Sequence, residues 1–307
     1  MTTEHPTNPH DRLFREAFSR KEMAEGFIAE YLPQAIGKQV DFKTLEIIKD
    51  SYIDKELNAH YSDILYKISL AGKPAFIYLL FEHKSYSDRL IAFQLLRNMV
   101  KIWEQYFKQN KHAKKLPCVV PLVIYHGKAQ WKIKEGLKPL FNEIAGTEQY
   151  IPDFHYELFD ISHIPGDNIK GTLLIKAFLL LLRSSFDPQQ FETLPKIFEL
   201  LNKLSKVSKA TEYIELFIRY LVSTVESGKE KDLTRVITKS LKDGGTTMPT
   251  IAEKWLQEGI EKGIEKRDFE IVEKMLLNNM STADIRKITG MSLSKIEQVR
   301  KRVKKSK

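Results

Sequence analysis

The chain has 307 residues, with 49 Lys and Arg against 40 Asp and Glu, a formal charge of +9, and a single cysteine, Cys118. Its length suits a sizeable core plus a second small unit, and its basic excess favours polyanionic partners. One cysteine excludes an intrachain disulfide and a cysteine-rich zinc site and fits a reducing cytoplasm, and the N-terminal MTTEHPTNPHDRLF lacks the apolar stretch of a signal peptide.

Residues 1–9 are polar, carry Pro6 and Pro9, and are expected to be disordered. From Asp11 onward, Leu13, Phe14, Ala17, Phe18, Phe27, Ile28 and Tyr31 recur at helical spacing until Pro33 closes the region. KTLEIIKDSYI (43–53) reads as a strand. SDILYKISL (62–70) and AFIYLLFEHKS (75–85) follow, with Gly72-Lys73-Pro74 in the turn, so the two runs read as a β-hairpin. If the turn is centred between Gly72 and Lys73, Asp63 stands directly opposite Glu82.

Residues 89–109 have apolar side chains at helical period, with Ser87 or Asp88 as N-cap. CVVPLVIYHG from Cys118 reads as a buried strand in which Pro121 marks a bulge or an edge position. FHYELFDI reads as a further strand ending at Asp160, and residues 169–225 as helical. The longest apolar run, Leu173 to Leu182, contains Lys176 and is about half the roughly 20 residues that span a bilayer, so it reads as a buried helix and no membrane is expected.

Two carboxylates opposed on a sheet repel, by up to roughly 1 kcal/mol relative to a neutral pair. A divalent cation reverses that sign. Mg²⁺ takes a few carboxylate oxygens and leaves the rest of its octahedron to water and phosphate, and acids about 5 Å apart at Cβ suit it. Lys84, two residues beyond Glu82, shares its face of the strand, where its ammonium can reach a phosphate or an attacking water. His83 alternates to the other face, so its side chain is expected to pack there, although its backbone carbonyl could face the metal. Polar residues marking the wet ends of two strands would give the same pattern.

The order helix, three strands, helix, strand resembles the αβββαβ core of the PD-(D/E)XK, restriction-endonuclease-like α/β proteins, here with a helical C-terminal extension. DRLFREAF, the acid of SDILYKI, the EHK triplet, the glutamine of AFQLLRNM and the phrase PLVIYHGKAQW together resemble the Rpn family of recombination-promoting nucleases, also described as transposases, over about residues 10–240. In the broader superfamily a proline often precedes the first acid; Ser62 stands there in this chain.

The resemblance implies that Asp63 and Glu82 are metal ligands and Lys84 the catalytic lysine. Gln94 matches a glutamine that contacts the backbone or a water near the metal, although an exposed helix glutamine would read the same. Glu16 and Asp160 are accessory acids at most, with Asp160 outside the primary metal shell, and His126-Gly127 marks the end of a strand. The implied reaction is Mg²⁺-dependent hydrolysis of DNA phosphodiester bonds, with one ion, Mn²⁺ or Ca²⁺ as substitutes, and no nucleotide cofactor. A homodimer is expected, because double-strand cutting with one site per chain calls for two copies. The alternatives are a non-catalytic DNA-binding protein that keeps the nuclease fold, and an RNA-directed nuclease.

The expected domains are residues 10–240 for the nuclease, including the helical part 169–225, then a linker and connecting helix at 241–268, and a helix-turn-helix-like basic tail at 269–307. The linker holds DGGTTMP (243–249), and EGIEKGIEK from Glu258 reads as a helix suited to self-association or to a solvated connector. In the tail, Ser281 with Asp284 resembles a capping box, Gly290 fits a C-cap, and Ser292 can cap the next helix. Ile285, Ile288, Met291, Ile296 and Val299 would form a small core, leaving Ser294, Lys295, Gln298, Lys301 and Arg302 to meet a major groove. From Lys295 onward the tail carries seven basic residues and one acid, Glu297; a basic solvated helix end has the same composition.

Overall fold

A computed structural model describes residues 8–48, 63–83, 88–165, 168–185, 190–204, 210–226, 228–243, 268–269, 271–278 and 280–305. The first described helix is α1 (Pro9–Phe18), whose start is set by Pro9 at the first position and by the Asn8 side chain, which accepts from the His10 N–H at 3.0 Å. α1 buries Leu13, Phe14, Ala17 and Phe18. After α2 (Lys21–Tyr31) and the short α3 (Gln34–Gly37) come β1 (Val40–Ile48), β2 (Asp63–Leu70) and β3 (Lys73–Glu82). Then follow α4 (Ile91–Gln109), β4 (Cys118–Tyr125) and β5 (Glu157–Asp160). The expected αβββαβ order is therefore present.

The five strands form one mixed sheet in the order β1-β2-β3-β4-β5; β1, β2 and β3 pair antiparallel, and β4 and β5 add on in parallel. β3 lies at the centre and is buried from Ala75 to Glu82, as a strand covered on both faces should be. Its alternate residues divide two cores. Ala75, Ile77, Leu79 and Phe81 face α1, α2 and the later helices, whereas Phe76, Tyr78 and Leu80 face α4. Phe14 stacks on Phe81 with ring centroids 4.5 Å apart, and Tyr66 donates to the Phe18 carbonyl at 2.7 Å, so α1 is tied to the sheet by ring packing and by a hydrogen bond.

The hairpin turn corrects the expected register. Ala71 (φ 49°) and Gly72 (φ 76°) both lie in the left-handed region and close a two-residue turn, so Leu70 pairs with Lys73 and Asp63 with Leu80. Glu82, the expected partner of Asp63, is displaced by two residues from the observed one, Leu80. A shift of two leaves every side chain on its face, whereas a shift of one would have moved Glu82 to the other side. Pro121 causes no register shift between β3 and β4; β5 joins β4 only from Leu122, so the proline sits where β4 has one neighbour. The N-cap of α4 is Leu90, without a side-chain bond; Asp88 Oδ1 accepts from the Leu90 N–H at 2.9 Å, and Ser87 lies outside the described residues.

The helical extension begins with α5 (Leu173–Ser184), started by Thr172, whose hydroxyl accepts from the Ile175 N–H at 3.3 Å. α5 is apolar almost all round and is buried in the core that the sheet shares with α6 (Gln190–Leu204), α7 (Ala210–Thr224) and α8 (Glu230–Asp243), of which α8 packs on α6. Gly26 on α2 permits close approach to α5: a Cβ there would lie 3.1 Å from Ile175 Cγ1. No described helix is long and apolar enough to cross a membrane.

The C-terminal unit comprises α9 (residues 271–277), α10 (Thr282–Thr289) and α11 (Leu293–Lys305). The Ser281 hydroxyl accepts from the Asp284 N–H at 3.1 Å, and Gly290, at φ 69°, closes α10 as the sequence suggests. Val272, Ile285, Ile296 and Val299 form its core, with Met291 packed against them. Ile288 is the exception: although it stands three residues after Ile285, it is 61 % exposed in the last turn of α10. The expected linker (243–249) and the EGIEKGIEK segment lie outside the described residues, apart from Asp243, which ends α8.

Candidate active site

Asp63 is the first residue of β2 and Glu82 the last of β3, so both stand at one end of the sheet. With Asp63 opposite Leu80, Glu82 is its diagonal neighbour on the same face. Diagonal neighbours lie about 7–8 Å apart at Cα and somewhat less at Cβ, a gap that the two carboxylate side chains can close around one ion.

Both acids are buried, Asp63 being 8 % and Glu82 6 % exposed, which is rare for carboxylates unless they are paired or hold a metal. The Tyr78 hydroxyl donates to Asp63 Oδ2, and Asn98 Nδ2 donates to the Tyr78 oxygen at 2.6 Å. Asp63 Oδ1 is buried without a hydrogen-bond partner. Burial raises the Asp63 carboxyl to about 7; the Tyr78 hydrogen bond opposes this, the Glu82 charge adds to it, and Arg15 and Asp11 of α1 act more weakly in opposite directions.

The other expected site residues divide around this pair. Gln94 sits half-buried in the first turn of α4, one helical turn before Asn98. Lys84 lies outside the described residues. Glu16 pairs with Arg219 of α7, on a different flank of α1 from Asp11 and Arg15, the α1 charges that act on Asp63. Asp160 shares a row with the hairpin: Glu82 pairs with Tyr125, and Tyr125 with Asp160. That places Asp160 two strands from Glu82, about 10 Å away and outside a shared ion shell. It accepts instead from the Trp131 N–H at 3.2 Å and from His163 Nδ1 at 2.9 Å.

Sequence reasoning missed Tyr78 and Asn98. Tyr78 has the strand parity of Glu82, and Asn98 interrupts the buried α4 stripe of Ile91, Leu95, Met99 and Ile102, so each left a signal. On the opposite face, His83 packs as expected, with its Nδ1 2.9 Å from His126 Nδ1 and its ring stacked on His10 at 3.9 Å. Burial brings the His10 imidazole down to about 3, lowers His83, and holds His126 well below its ordinary value. In the C-terminal unit, Ser294, Lys295 and Gln298 are exposed on α11, the helix that also contains Lys301 and Arg302.

A family model described as "Putative transposase, YhgA-like" matches residues 8–212. The chain belongs to that family. It is 27 % identical over 293 residues to "Recombination-promoting nuclease RpnA" of Escherichia coli strain K12, covering 95 % of this chain and 97 % of that protein. It is 26 % identical over 304 residues to "Recombination-promoting nuclease RpnC" of the same strain, covering 95 % and 97 %. A third relative from that strain, "Inactive recombination-promoting nuclease-like protein RpnE", is 26 % identical over 287 residues, covering 90 % of this chain and 92 % of its own. No solved structure matches the chain at a significant level.

Proposed function

We propose that this chain is a Mg²⁺-dependent DNA endonuclease linked to recombination, acting through the Asp63–Glu82 hairpin. The observation that carries the reading is the buried acid pair on one sheet face, in which Tyr78 takes one Asp63 oxygen and leaves Oδ1 without a hydrogen bond. An oxygen so placed has the chemistry of a cation ligand, so the residues fit a hard divalent ion. The names of RpnA and RpnC support the activity.

Asp63 Oδ1 and the Glu82 carboxylate would hold the ion, which when bound polarises a phosphoryl oxygen and lowers the pKa of water. Tyr78 and Asn98 keep the Asp63 carboxylate in place. Lys84, two residues beyond Glu82, would orient the attacking water or offset charge on the phosphate, and Gln94 would contact the backbone or a water beside the site. The basic α11 would bring the duplex to the site, and a dimer would cut both strands.

The name of RpnE favours a second reading, a DNA-binding protein without catalysis. Supercoiled plasmid incubated with the protein in Mg²⁺ or in EDTA separates the two. Nicking in Mg²⁺ alone, lost in Asp63→Ala with DNA affinity in EDTA retained, is the expected result. Equal plasmid integrity in both tubes with retained binding would establish the second reading, and preferential cleavage of RNA would reassign the substrate.

A further inference from the structure

At the ends of β3 and β4, on the face of the sheet opposite Asp63 and Glu82, three imidazoles from separate segments converge. His10 of α1, His83 after β3 and His126 after β4 each offer a nitrogen, and these nitrogens all lie within 4.8 Å of one another. The hairpin chemistry uses none of these side chains. We propose that His10, His83 and His126 bind one divalent transition-metal ion of the zinc class, separate from the hairpin ion, which ties α1 to the ends of β3 and β4.

The hydrogen bonds around the rings prepare them for this. His126 Nε2 lies 2.8 Å from the Leu182 carbonyl, which can only accept, so the proton of the neutral ring is on Nε2 and its lone pair is on Nδ1, facing His83. Ser185 Oγ, 3.1 Å from the same Nε2, sits beside that bond. A carbonyl behind the ring is the usual support of a metal-bound histidine, because it fixes the tautomer and the ring plane. The Tyr220 hydroxyl lies 2.8 Å from His10 Nδ1 and orients a second ring.

His83 Nδ1 and His126 Nδ1 are 2.9 Å apart, against about 3.3 Å between neighbouring nitrogens of a tetrahedral zinc site with bonds of about 2.0–2.1 Å. An ion between them would take the Nδ1 lone pairs of both rings, with His83 carrying its proton on Nε2. The His10 and His83 rings stack, so closing the set needs a turn of the half-buried His10 ring while the buried His126 stays fixed. Three neutral imidazoles suit zinc, copper or nickel and are poor ligands for Mg²⁺, so the two faces of the sheet would sort the two ions.

The test titrates Co²⁺, a visible stand-in for Zn²⁺, into metal-stripped full-length protein in excess Mg²⁺. Visible absorption saturating at one equivalent is expected, together with a rise in unfolding temperature on adding Zn²⁺. His10→Gln should weaken Co²⁺ binding by about 10- to 100-fold, and Tyr220→Phe by about 10-fold, with circular dichroism confirming that both variants fold. Asp63→Asn should leave the Co²⁺ spectrum unchanged even though it abolishes plasmid cleavage, so failure of either site is read separately. Absence of the band in the parent protein, equal affinity in folded His10→Gln, or loss of the band in Asp63→Asn would each overturn the proposal.

Discussion

Asn98 of α4 donates to the Tyr78 hydroxyl of β3 at 2.6 Å, and that hydroxyl gives its own proton to Asp63. The relay links the helical layer on one side of the sheet to the hairpin acid. It also sets the two Asp63 oxygens apart: Oδ2 accepts from Tyr78, and Oδ1 is buried without a hydrogen bond.

Breaking the relay should therefore weaken ion binding as well as the fold. Tyr78→Phe keeps the ring in its core and removes only the hydroxyl, so Mg²⁺ affinity measured by calorimetry should fall by about 10- to 100-fold. Asn98→Ala leaves the Tyr78 oxygen without its donor and should cost about 1–3 kcal/mol in urea unfolding. Unchanged Mg²⁺ affinity in Tyr78→Phe would show that Asp63 is oriented by other contacts.

The raised Asp63 carboxyl predicts a pH dependence in the metal-free protein. In the unfolded chain the group loses its proton near the ordinary value of 3.8, whereas in the fold burial holds the proton until about 7. Across that window the native state binds more protons, so stability is greatest at the acid end, falls as pH rises, and levels above about 7. Asp63→Asn removes this titration. In EDTA the variant should thus be more stable than the parent at about pH 8, with the difference vanishing near pH 4, and Mg²⁺ should stabilise only the parent. Thermal unfolding across that range measures it, and parallel curves in EDTA would refute it.

The hairpin was legible because strand alternation fixes faces, and a one-residue error in the turn centre moved each partner by two residues and so preserved them. The register itself was not legible: Gly72 and Pro74 drew the turn towards Lys73, while the left-handed position fell to Ala71, a residue type that gives no such signal. Tyr78 shares the parity of Glu82 and Asn98 breaks an apolar stripe, but neither signal by itself joins the two residues across the sheet and the helix. The histidine cluster depends on Tyr220 and Leu182, far from His10 and His126 in sequence, so local patterns could not assemble it. In the C-terminal unit, caps predicted the helix ends, but helical spacing alone put Ile288 inside when it faces out.

Ala71 also marks a place where the sequence is not optimal for its own turn. An alanine at φ 49° carries a left-handed penalty that asparagine largely avoids, and Asn-Gly is the preferred pair for this hairpin. Ala71→Asn should raise stability by roughly 0.5–1 kcal/mol and leave cleavage unchanged, since the turn lies at the opposite end of the hairpin from Asp63 and Glu82. Denaturant unfolding checks it, and a destabilised variant would argue against the two-residue turn.

The C-terminal unit makes a last, separable prediction, because its basic residues differ in what they hold. Arg300 is committed to its own unit: it pairs with Glu297 at 2.6 Å and donates to Thr282 Oγ1 at 2.5 Å, bracing α11 against the start of α10. Lys295 is exposed one turn earlier. If α11 meets DNA, Lys295→Ala should weaken binding and lower the magnitude of the log–log salt slope by about 0.9, the value for one phosphate contact. Arg300→Ala should act mainly by loosening the α10–α11 packing, at about 0.5–1.5 kcal/mol for the lost hydrogen bonds. Removing residues 280–307 should flatten the slope further while leaving the sheet and its acid pair folded. Fluorescence anisotropy with labelled duplex at several salt concentrations reads all three, and a slope untouched by the deletion would move the DNA contact onto the sheet-bearing part of the chain.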